Sequence, residues 1–428
     1  MGTLDLGLAP FESYESLIEA DARQEILSAA QSLKDLRVVH VNATPRGGGV
    51  AEILRSLVPM MRGLGIDANW WAMEADEGFF TITKGIHNGL QGKVTSLRRE
   101  DIERYWFHNE RAASAIELAF GSPDILVAHD PQVMAVPAFL RNGTRSVWHC
   151  HIDLTAPAEE VQARLLPLSQ LYARCVVSMP EYAAAGLPLE RTVGFPPAID
   201  PFAAKNRRLP LEEARARLVG LGIDCRRPLI SQVSRFDPWK DPWGVVDAYR
   251  LAKKHVPELQ LALVGALTAR DDPEGVGVWQ SVCSYAGDDP DIHIYAEPEV
   301  GGDDTTVNAF QRASIVVIQK SIREGFGLTV TEAMWKGTPV IGGDCGGIRA
   351  QIRDGENGFL VSDVKTCAER LLYLLTHPEE AQRLGARARE SVRQRFLMPR
   401  LLADYLSLFE EVLGRTSREE EVVERGAV

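Results

Sequence analysis

Short runs of valine, isoleucine and leucine alternate along this chain with longer stretches whose apolar residues return every three or four positions. The first kind reads as strand and the second as helix packed over it, so the alternation predicts an α/β protein with parallel sheets covered on both faces. After a helical lead-in, Arg37-Val-Val-His-Val-Asn-Ala43 is a buried first strand, Pro45-Arg-Gly-Gly-Gly49 a turn, and residues 50–61 an amphipathic helix. Strands at 124–129, 146–151 and 175–179 make one doubly wound domain of residues 1–202. The proline-rich, aperiodic Phe195-Pro-Pro-Ala-Ile-Asp-Pro201 and the polar residues that follow it, to Arg208, mark an interdomain linker. A second series runs through a helix at 211–221, a strand at 228–233, a helix at 243–255, strands at 259–264 and 291–296, and a helix at 306–313. It continues with a strand at 315–319, a helix at 329–336 and strands at 339–342 and 358–361. Helices at 366–375 and 378–396 close a second domain of the same kind, residues 203–397; a helix at 398–414 and a charged tail, expected to fray, end the sequence.

At 428 residues the chain exceeds one ordinary core, which agrees with two domains and a cleft between them where small-molecule chemistry usually sits. The formal charge is −12 and no basic block is longer than a pair, so nucleic acid and anionic membranes are not expected partners. An anionic small substrate would need local cations. Six cysteines without C-x-x-C spacing suggest neither a zinc ribbon nor a disulfide framework and fit a reducing cytoplasm. Residues 1–20 carry Asp5, Glu12, Glu15 and Glu19 but no basic residue, the opposite of a secretory signal, and no apolar run approaches a membrane span. The oligomeric state is open, a homo-oligomer included.

Gly47, Gly48 and Gly49 fall between strand and helix, where backbone amides approach an anion closely and the helix N-terminus adds partial positive charge. The run is neither G-x-G-x-x-G nor a P-loop, and a tight turn needing small residues explains it equally well. In Ser231-Gln-Val-Ser-Arg-Phe-Asp-Pro-Trp-Lys240, Arg235 and Lys240 occupy a turn at the carboxyl edge of the second sheet, where open α/β folds gather ligands. A guanidinium fork and a compact ammonium suit a diphosphate; solvated loop cations are the plainer alternative.

The segment Ser321-Ile-Arg-Glu-Gly-Phe-Gly-Leu-Thr-Val-Thr-Glu-Ala-Met334 joins a strand to a helix, so Gly325 and Gly327 form a candidate second anion cradle. Glu324 and Glu332 also invite comparison with the paired carboxylates of a glycoside hydrolase. Eight residues of continuous helix would part them by about 12 Å, beyond the spacing such enzymes use, unless the glycines bend the chain. Glu332 also suits a purely structural place near a helix N-terminus.

His129-Asp-Pro131 and His149-Cys-His-Ile-Asp153 end strands of the first domain. His149 and His151 share a strand face and suggest metal ligands, but no third ligand has convincing spacing; no metal is expected, and one of the pair reads equally as a core histidine. Asp271-Asp272 and Asp303-Asp304 read as solvated surface rather than a cation site.

Taken in order and spacing, Gly47-Gly-Gly-Val-Ala-Glu52, Ser234-Arg-Phe-Asp-Pro-Trp-Lys240 and Glu324-Gly-Phe-Gly-Leu-Thr-Val-Thr-Glu332 resemble the retaining GT-B glycosyltransferases of the glycogen-synthase and sucrose-synthase kind, whose E-x7-E motif the two glutamates match. His40-Val-Asn-Ala43, His129-Asp-Pro-Gln132, Cys150-His-Ile-Asp-Leu154 and Gln232-Val-Ser-Arg-Phe-Asp-Pro-Trp-Lys240 are similar to the trehalose glycosyltransferring synthases, over roughly residues 40–396. The resemblance implies two Rossmann-like domains facing across a cleft, an acceptor domain at 1–202 and a donor domain at 203–397, with the helix of 398–428 crossing back to the first. It implies that Arg235 and Lys240 bind the donor diphosphate, that Gly48 and Gly49 let its phosphates approach, and that Gly325, Phe326, Gly327, Leu328 and Thr329 line the donor. Glu332 would hold the ribose, Glu324 and His151 would lie by the transferred glucose, and Asp130, His151 and Asp153 would serve the acceptor side.

The implied reaction is glucosyl transfer from ADP-glucose or UDP-glucose to glucose with retention, giving α,α-1,1-trehalose, the departing phosphate taking the acceptor's proton. Such a scheme needs preorganised cations more than a protein nucleophile. No tightly bound cofactor is expected, with Mg²⁺ at most stimulatory. A retaining disaccharide phosphorylase, a transferase with another acceptor and a non-catalytic sugar-nucleotide sensor remain rivals; a nicotinamide dehydrogenase lacks its glycine fingerprint.

Overall fold

The computed structural model describes residues 3, 4, 6–45, 48–141, 143–265, 267, 275–297, 300 and 303–415. The chain divides into two compact units, Met1–Pro196 with Met398–Val428, and Pro197–Leu397. Gly47, Asp271-Asp272 and the charged tail lie outside the described residues.

In the first unit β1 (Arg37–Asn42), β2 (Asp67–Ala72), β3 (Ile125–His129), β4 (Arg145–Cys150), β5 (Arg174–Val177) and β6 (Thr192–Gly194) form a sheet in the order β2-β1-β3-β4-β5-β6. In the second, β7 (Leu229–Val233), β8 (Gln260–Val264), β9 (Ile292–Tyr295), β10 (Val316–Gln319), β11 (Val340–Gly343) and β12 (Phe359–Val361) run in the order β12-β11-β10-β7-β8-β9. Every pairing among these strands is parallel. The second order is the doubly wound Rossmann arrangement, and both sheets reverse direction once, between β1 and β3 and between β7 and β10.

The predicted α/β class and strand–helix alternation hold. β3, β7, β8 and β10 are buried along their whole length, as expected for strands covered on both faces, even though β7 contains Ser231 and Gln232. β2 and β6 are additions: β2 reads Asp-Ala-Asn-Trp-Trp-Ala, without a β-branched residue, and β6 is three residues long. The helix expected at 306–313 starts earlier, Asp304–Ala313, because the Asp303 carboxylate accepts from the Thr306 amide at 2.9 Å and caps it. Asp303 also pairs with Arg217 at 2.6 Å, so this half of the acidic pair is a cap, not loose surface.

The helix Met398–Leu413 belongs to the first unit, where it packs against the helices Ala20–Ser32 and Gly49–Gly63 with Tyr405 and Phe409 fully buried. Its last turn is tied down: the Arg145 guanidinium donates to Val412 O at 2.6 Å, and Arg174 pairs with the Glu411 carboxylate. No helix among the described residues is long and apolar enough to cross a membrane. The cysteines all lie among those residues and all are free.

Two glycines set how closely backbone segments meet at the carboxyl edge of the second sheet. A Cβ on Gly265 would lie 1.9 Å from Ser234 O, and one on Gly343 2.0 Å from Ser321 O. Ser234 and Ser321 open the two loops described below, so both loops rest directly on glycine backbone. Gly343→Ala should therefore destabilise the second unit by roughly 1–3 kcal/mol, as overpacking does, read as a lower midpoint in urea unfolding. An unchanged midpoint would show that the Ser321 loop is not held by this contact.

Candidate functional site

The strands that flank each reversal end in the loops that carry the sequence candidates. In the second unit Arg235 and Lys240 follow β7, and Ser321 to Gly327 follow β10, its neighbour. In such sheets the crossovers of two neighbouring strands depart to opposite sides and leave a crevice at their carboxyl ends.

The β7 turn is internally fixed. The Asp237 carboxylate accepts from Trp239 N at 2.8 Å, the Gln232 amide donates to Lys240 O at 2.8 Å, and Asp241, at φ 49°, caps the helix Pro242–Lys253 through Gly244 N while pairing with Lys320. This delivers the Lys240 ammonium to Glu324 Oε2 at 2.5 Å, with Ser321 Oγ donating to the same oxygen at 3.1 Å. Both side chains of the pair are nearly enclosed, whereas Arg235 is about half exposed, its guanidinium 3.8 Å from Asp237.

Gly327, at φ 85°, is the N-cap of the helix Leu328–Trp335 and has no side-chain cap; a Cβ there would also crowd Glu324 Cγ at 3.1 Å. Only glycine takes this conformation cheaply. Gln351 supports the loop from beneath, donating to Phe326 O at 2.6 Å while its oxygen accepts from Thr331 Oγ1 at 2.6 Å. Gly325 and Phe326 rest on Gly347, where a Cβ would meet Phe326 Cα at 2.4 Å. Leu328 and Thr329 open the helix, with Thr329 O accepting from Gln311.

Glu332 lies one turn further in and is 1% exposed. Gln311 donates to its Oε2 at 3.1 Å, and the Lys205 ammonium stands 3.7 Å from Oε1. Glu324 in the loop is thus held by Lys240 and Ser321, and Glu332 in the helix by Gln311 and Lys205, an arrangement unlike a hydrolase carboxylate pair. Sequence reading gave Ser321 no role of its own and missed Gln311, Gln351 and Lys205; the glutamines are buried polar positions, the signal that marks an internal hydrogen-bonding job.

In the first unit Gly48 and Gly49 follow β1 and open the helix Gly49–Gly63. Gly48 has φ 82°, and a Cβ there would touch nothing, so backbone conformation and not space calls for glycine. Asp130 and His151 follow β3 and β4. Asp130, at φ 66°, is a strained non-glycine residue; its Oδ1 accepts from His151 N at 2.7 Å, and burial pushes its carboxyl up to about 7. The Asp153 carboxylate accepts from Thr155 N at 2.9 Å and Thr155 Oγ1 at 2.6 Å, a turn-forming job.

His151 is one of a group the sequence does not reveal as a group. His40 Nδ1 is 3.0 Å from His129 Nε2, and His129 Nδ1 is 3.0 Å from His151 Nε2. His149 stacks on His151 with centroids 3.9 Å apart and bonds Tyr405 Oη at 2.5 Å through Nδ1; it is the core histidine of the i, i+2 pair. His129 is the third imidazole that sequence spacing did not supply, with ring nitrogens of His129, His149 and His151 all within 4.8 Å of one another. The stacking of His149 on His151, 21° from parallel, sets their in-plane lone pairs side by side instead of converging as metal ligands must. Burial lowers all four, His40 and His151 to about 3 and His129 and His149 well below the ordinary value, so at neutral pH they are uncharged.

Relatives and solved structures share this build. A trehalose-synthase N-terminal-domain model matches residues 40–184 and a group 1 glycosyl transferase model residues 219–391. A UDP-forming α,α-trehalose-phosphate synthase from Burkholderia xenovorans superposes with TM-score 0.70 at 16% identity, over 89% of this chain and 100% of that one, and marks the fold as GT-B. A trehalose synthase from Rubrobacter xylanophilus is 45% identical over 94% of this chain and 96% of its own, and one from Pyrococcus horikoshii 42% over 95% and 98%. The family model and these relatives make the chain a glycosyltransferase. The chain belongs to the trehalose synthase family of GT-B glycosyltransferases.

The buried imidazoles give a pH dependence with a definite sign. A histidine whose folded pKa is depressed stabilises the fold above its unfolded value near 6.5 and loses that contribution as pH falls. His40→Leu should cost stability at pH 7, where it strips His129 Nε2 of its partner, and that deficit should shrink by about 2 kcal/mol by pH 5, where the wild type alone must refuse this proton. Urea unfolding at the two pH values measures it; a deficit independent of pH would mean His40 titrates normally in the fold.

Proposed function

We propose that the protein transfers a glucosyl group, with retention, from ADP-glucose or UDP-glucose to the anomeric hydroxyl of glucose, forming α,α-1,1-trehalose and the nucleoside diphosphate, reversibly. The observation that carries this reading is the reversal point of the second sheet, where Arg235, Lys240 and the uncapped helix start at Gly327 gather positive charge beside Glu324. The names of relatives above 40% identity over nearly the whole chain point the same way.

In this scheme the donor's C1–O bond to phosphate breaks, C1 bonds the acceptor's O1, and the acceptor's proton passes to the leaving phosphate on the same face. Charge grows on that phosphate in the transition state, so preorganised cations and amides lower the barrier directly. Arg235 and Lys240 take that role, helped by the amides of Gly325 to Thr329. The Lys240–Glu324 pair holds the ammonium in one place and leaves Glu324 to meet the transferred glucose. Glu332 is assigned to the ribose, although its enclosure and existing partners mean that a ribose would displace Gln311 or Lys205. Asp130, His151 and Asp153 serve the sugars. The scheme calls for small-molecule substrates alone, with no tightly bound cofactor and Mg²⁺ only as an accessory.

Purified protein with ADP-glucose or UDP-glucose and glucose should yield an α,α-1,1 disaccharide, identified by NMR; no such product with either donor sinks the proposal, and formation only from a glucose 1-phosphate donor would favour a phosphorylase. Arg235→Ala should lower kcat/KM about 10²–10³-fold, the range for removing one preorganised charge stabiliser, with little change in thermal midpoint because the side chain is half exposed. Near-normal turnover in this variant would remove Arg235 from the leaving-group site.

A further inference from the structure

Three neutral imidazoles joined nose to tail cannot choose their tautomers independently. Each neutral ring carries one N–H and one lone pair, so each bond in the His40, His129, His151 chain needs a donor on one side and an acceptor on the other. The bonds run Nδ1 to Nε2 both times. Either all three rings are protonated on Nδ1, with His40 donating to His129 and His129 to His151, or all three on Nε2, with donation running back.

The ring geometry fits in-plane bonds. Both pairs have centroids 5.3 Å apart and planes within 24° and 16° of each other, as when a hydrogen bond lies in the common plane of two rings. His149, stacked on His151, clamps that plane from the side. Burial keeps the rings uncharged at neutral pH, which preserves the count of one proton per ring.

The two ends of the chain decide the direction. His40 Nε2 is fully buried with no partner among the described residues. Protonation there would strand an N–H in the core, and truly orphaned buried N–H groups are the rarer kind; a bare lone pair strands no proton. At the other end, His151 Nδ1 has no hydrogen-bond partner among the described residues and is not fully enclosed, so it is the end that meets solvent or ligand.

We infer that His40 and His129 are positioning residues which fix His151 as the Nδ1–H tautomer, so that it presents a hydrogen-bond donor to an oxygen acceptor of the bound sugar. A neutral imidazole with Nδ1 protonated has no lone pair on that atom. His151 therefore orients an oxygen and does not take the acceptor's proton, which leaves that proton to the departing phosphate. This deepens the proposed transfer and rests on it for the identity of the ligand; the tautomer itself does not.

Nitrogen-15 spectra of histidine-labelled protein at neutral pH, with the His151 signals assigned by their loss in His151→Asn, read the tautomer without substrate. The expected result is a protonated Nδ1 and a bare Nε2 on His151, with His129 in the same state. His151 protonated on Nε2 overturns the inference whatever the protein catalyses. In His129→Phe the Nε2–H form should appear and kcat/KM should fall roughly 10- to 100-fold, the range for removing a partner that orients a functional imidazole. His129→Asn, whose amide replaces the Nδ1 donor, should restore both the tautomer and most of the turnover. If Phe and Asn at 129 lose activity equally while His151 keeps its Nδ1 proton in both, His129 is structural only. A protein that makes no disaccharide yet shows the expected tautomers would leave the relay standing and remove the proposed reaction.

Discussion

The pairing of β7 with β10 is the constraint on which the second unit's chemistry depends. A parallel sheet needs a crossover for each consecutive strand, and where two neighbours send their crossovers opposite ways the loops above them cannot close over each other. Among the described residues, the two loops Arg235 to Lys240 and Ser321 to Gly327 stand above that point of the sheet. The loops stand on backbone that glycine lets come close, at Gly265 and Gly343, so their height above the sheet is set by main chain and not by adaptable side chains. The Lys240–Glu324 pair then ties one loop to the other. Removing one member of a nearly enclosed pair strands the other charge, which ordinarily costs about 3–5 kcal/mol, so the geometry of the crevice and the stability of its walls are the same interaction.

Much of this was legible in the sequence, and for identifiable reasons. β3, β8 and β10 are apolar but for one polar residue at an end, a pattern that suits a doubly covered sheet, and the helices around them carry glycine, proline or aspartate at their ends. The Arg235–Lys240 and Ser321–Met334 segments could be placed at a carboxyl edge because their strands could be placed. β2 escaped because its Trp70 and Trp71 fill the core by bulk, not by β-branched pattern, and β6 because three residues carry no period. The sequence also carried no account of which polar residues inside strands would find each other. His40 and His129 are separated by 89 positions, and His149 and Tyr405 by 256, so their meeting follows from strand order and from the path of the last helix. A histidine in the middle of an apolar run was the one available hint, and it marks that a partner exists without saying which.

The two units solve opposite electrostatic problems. The second keeps charge near its loops and balances it in pairs: Lys240 with Glu324, Lys320 with Asp241, Lys205 by Glu332. The first removes charge from the corresponding place. There His40, His129, His149 and His151 are held neutral by burial, and Asp130, the carboxyl among them, is pushed up to about 7 by the same desolvation. In the proposed reaction this division has a physical use, because a leaving diphosphate gains negative charge whereas a sugar hydroxyl is neutral throughout binding. A cation beside the hydroxyl would be wasted on the ground state, while neutral donors and acceptors locked in direction discriminate oxygens by position. Burying uncharged imidazoles is also far less costly than burying their protonated forms, so the first unit gains fixed hydrogen-bond direction without an ion pair to compensate. Charged groups at the second unit's loops need partners to hold them in place, and the neutral histidine cluster of the first can use a one-way chain of single protons.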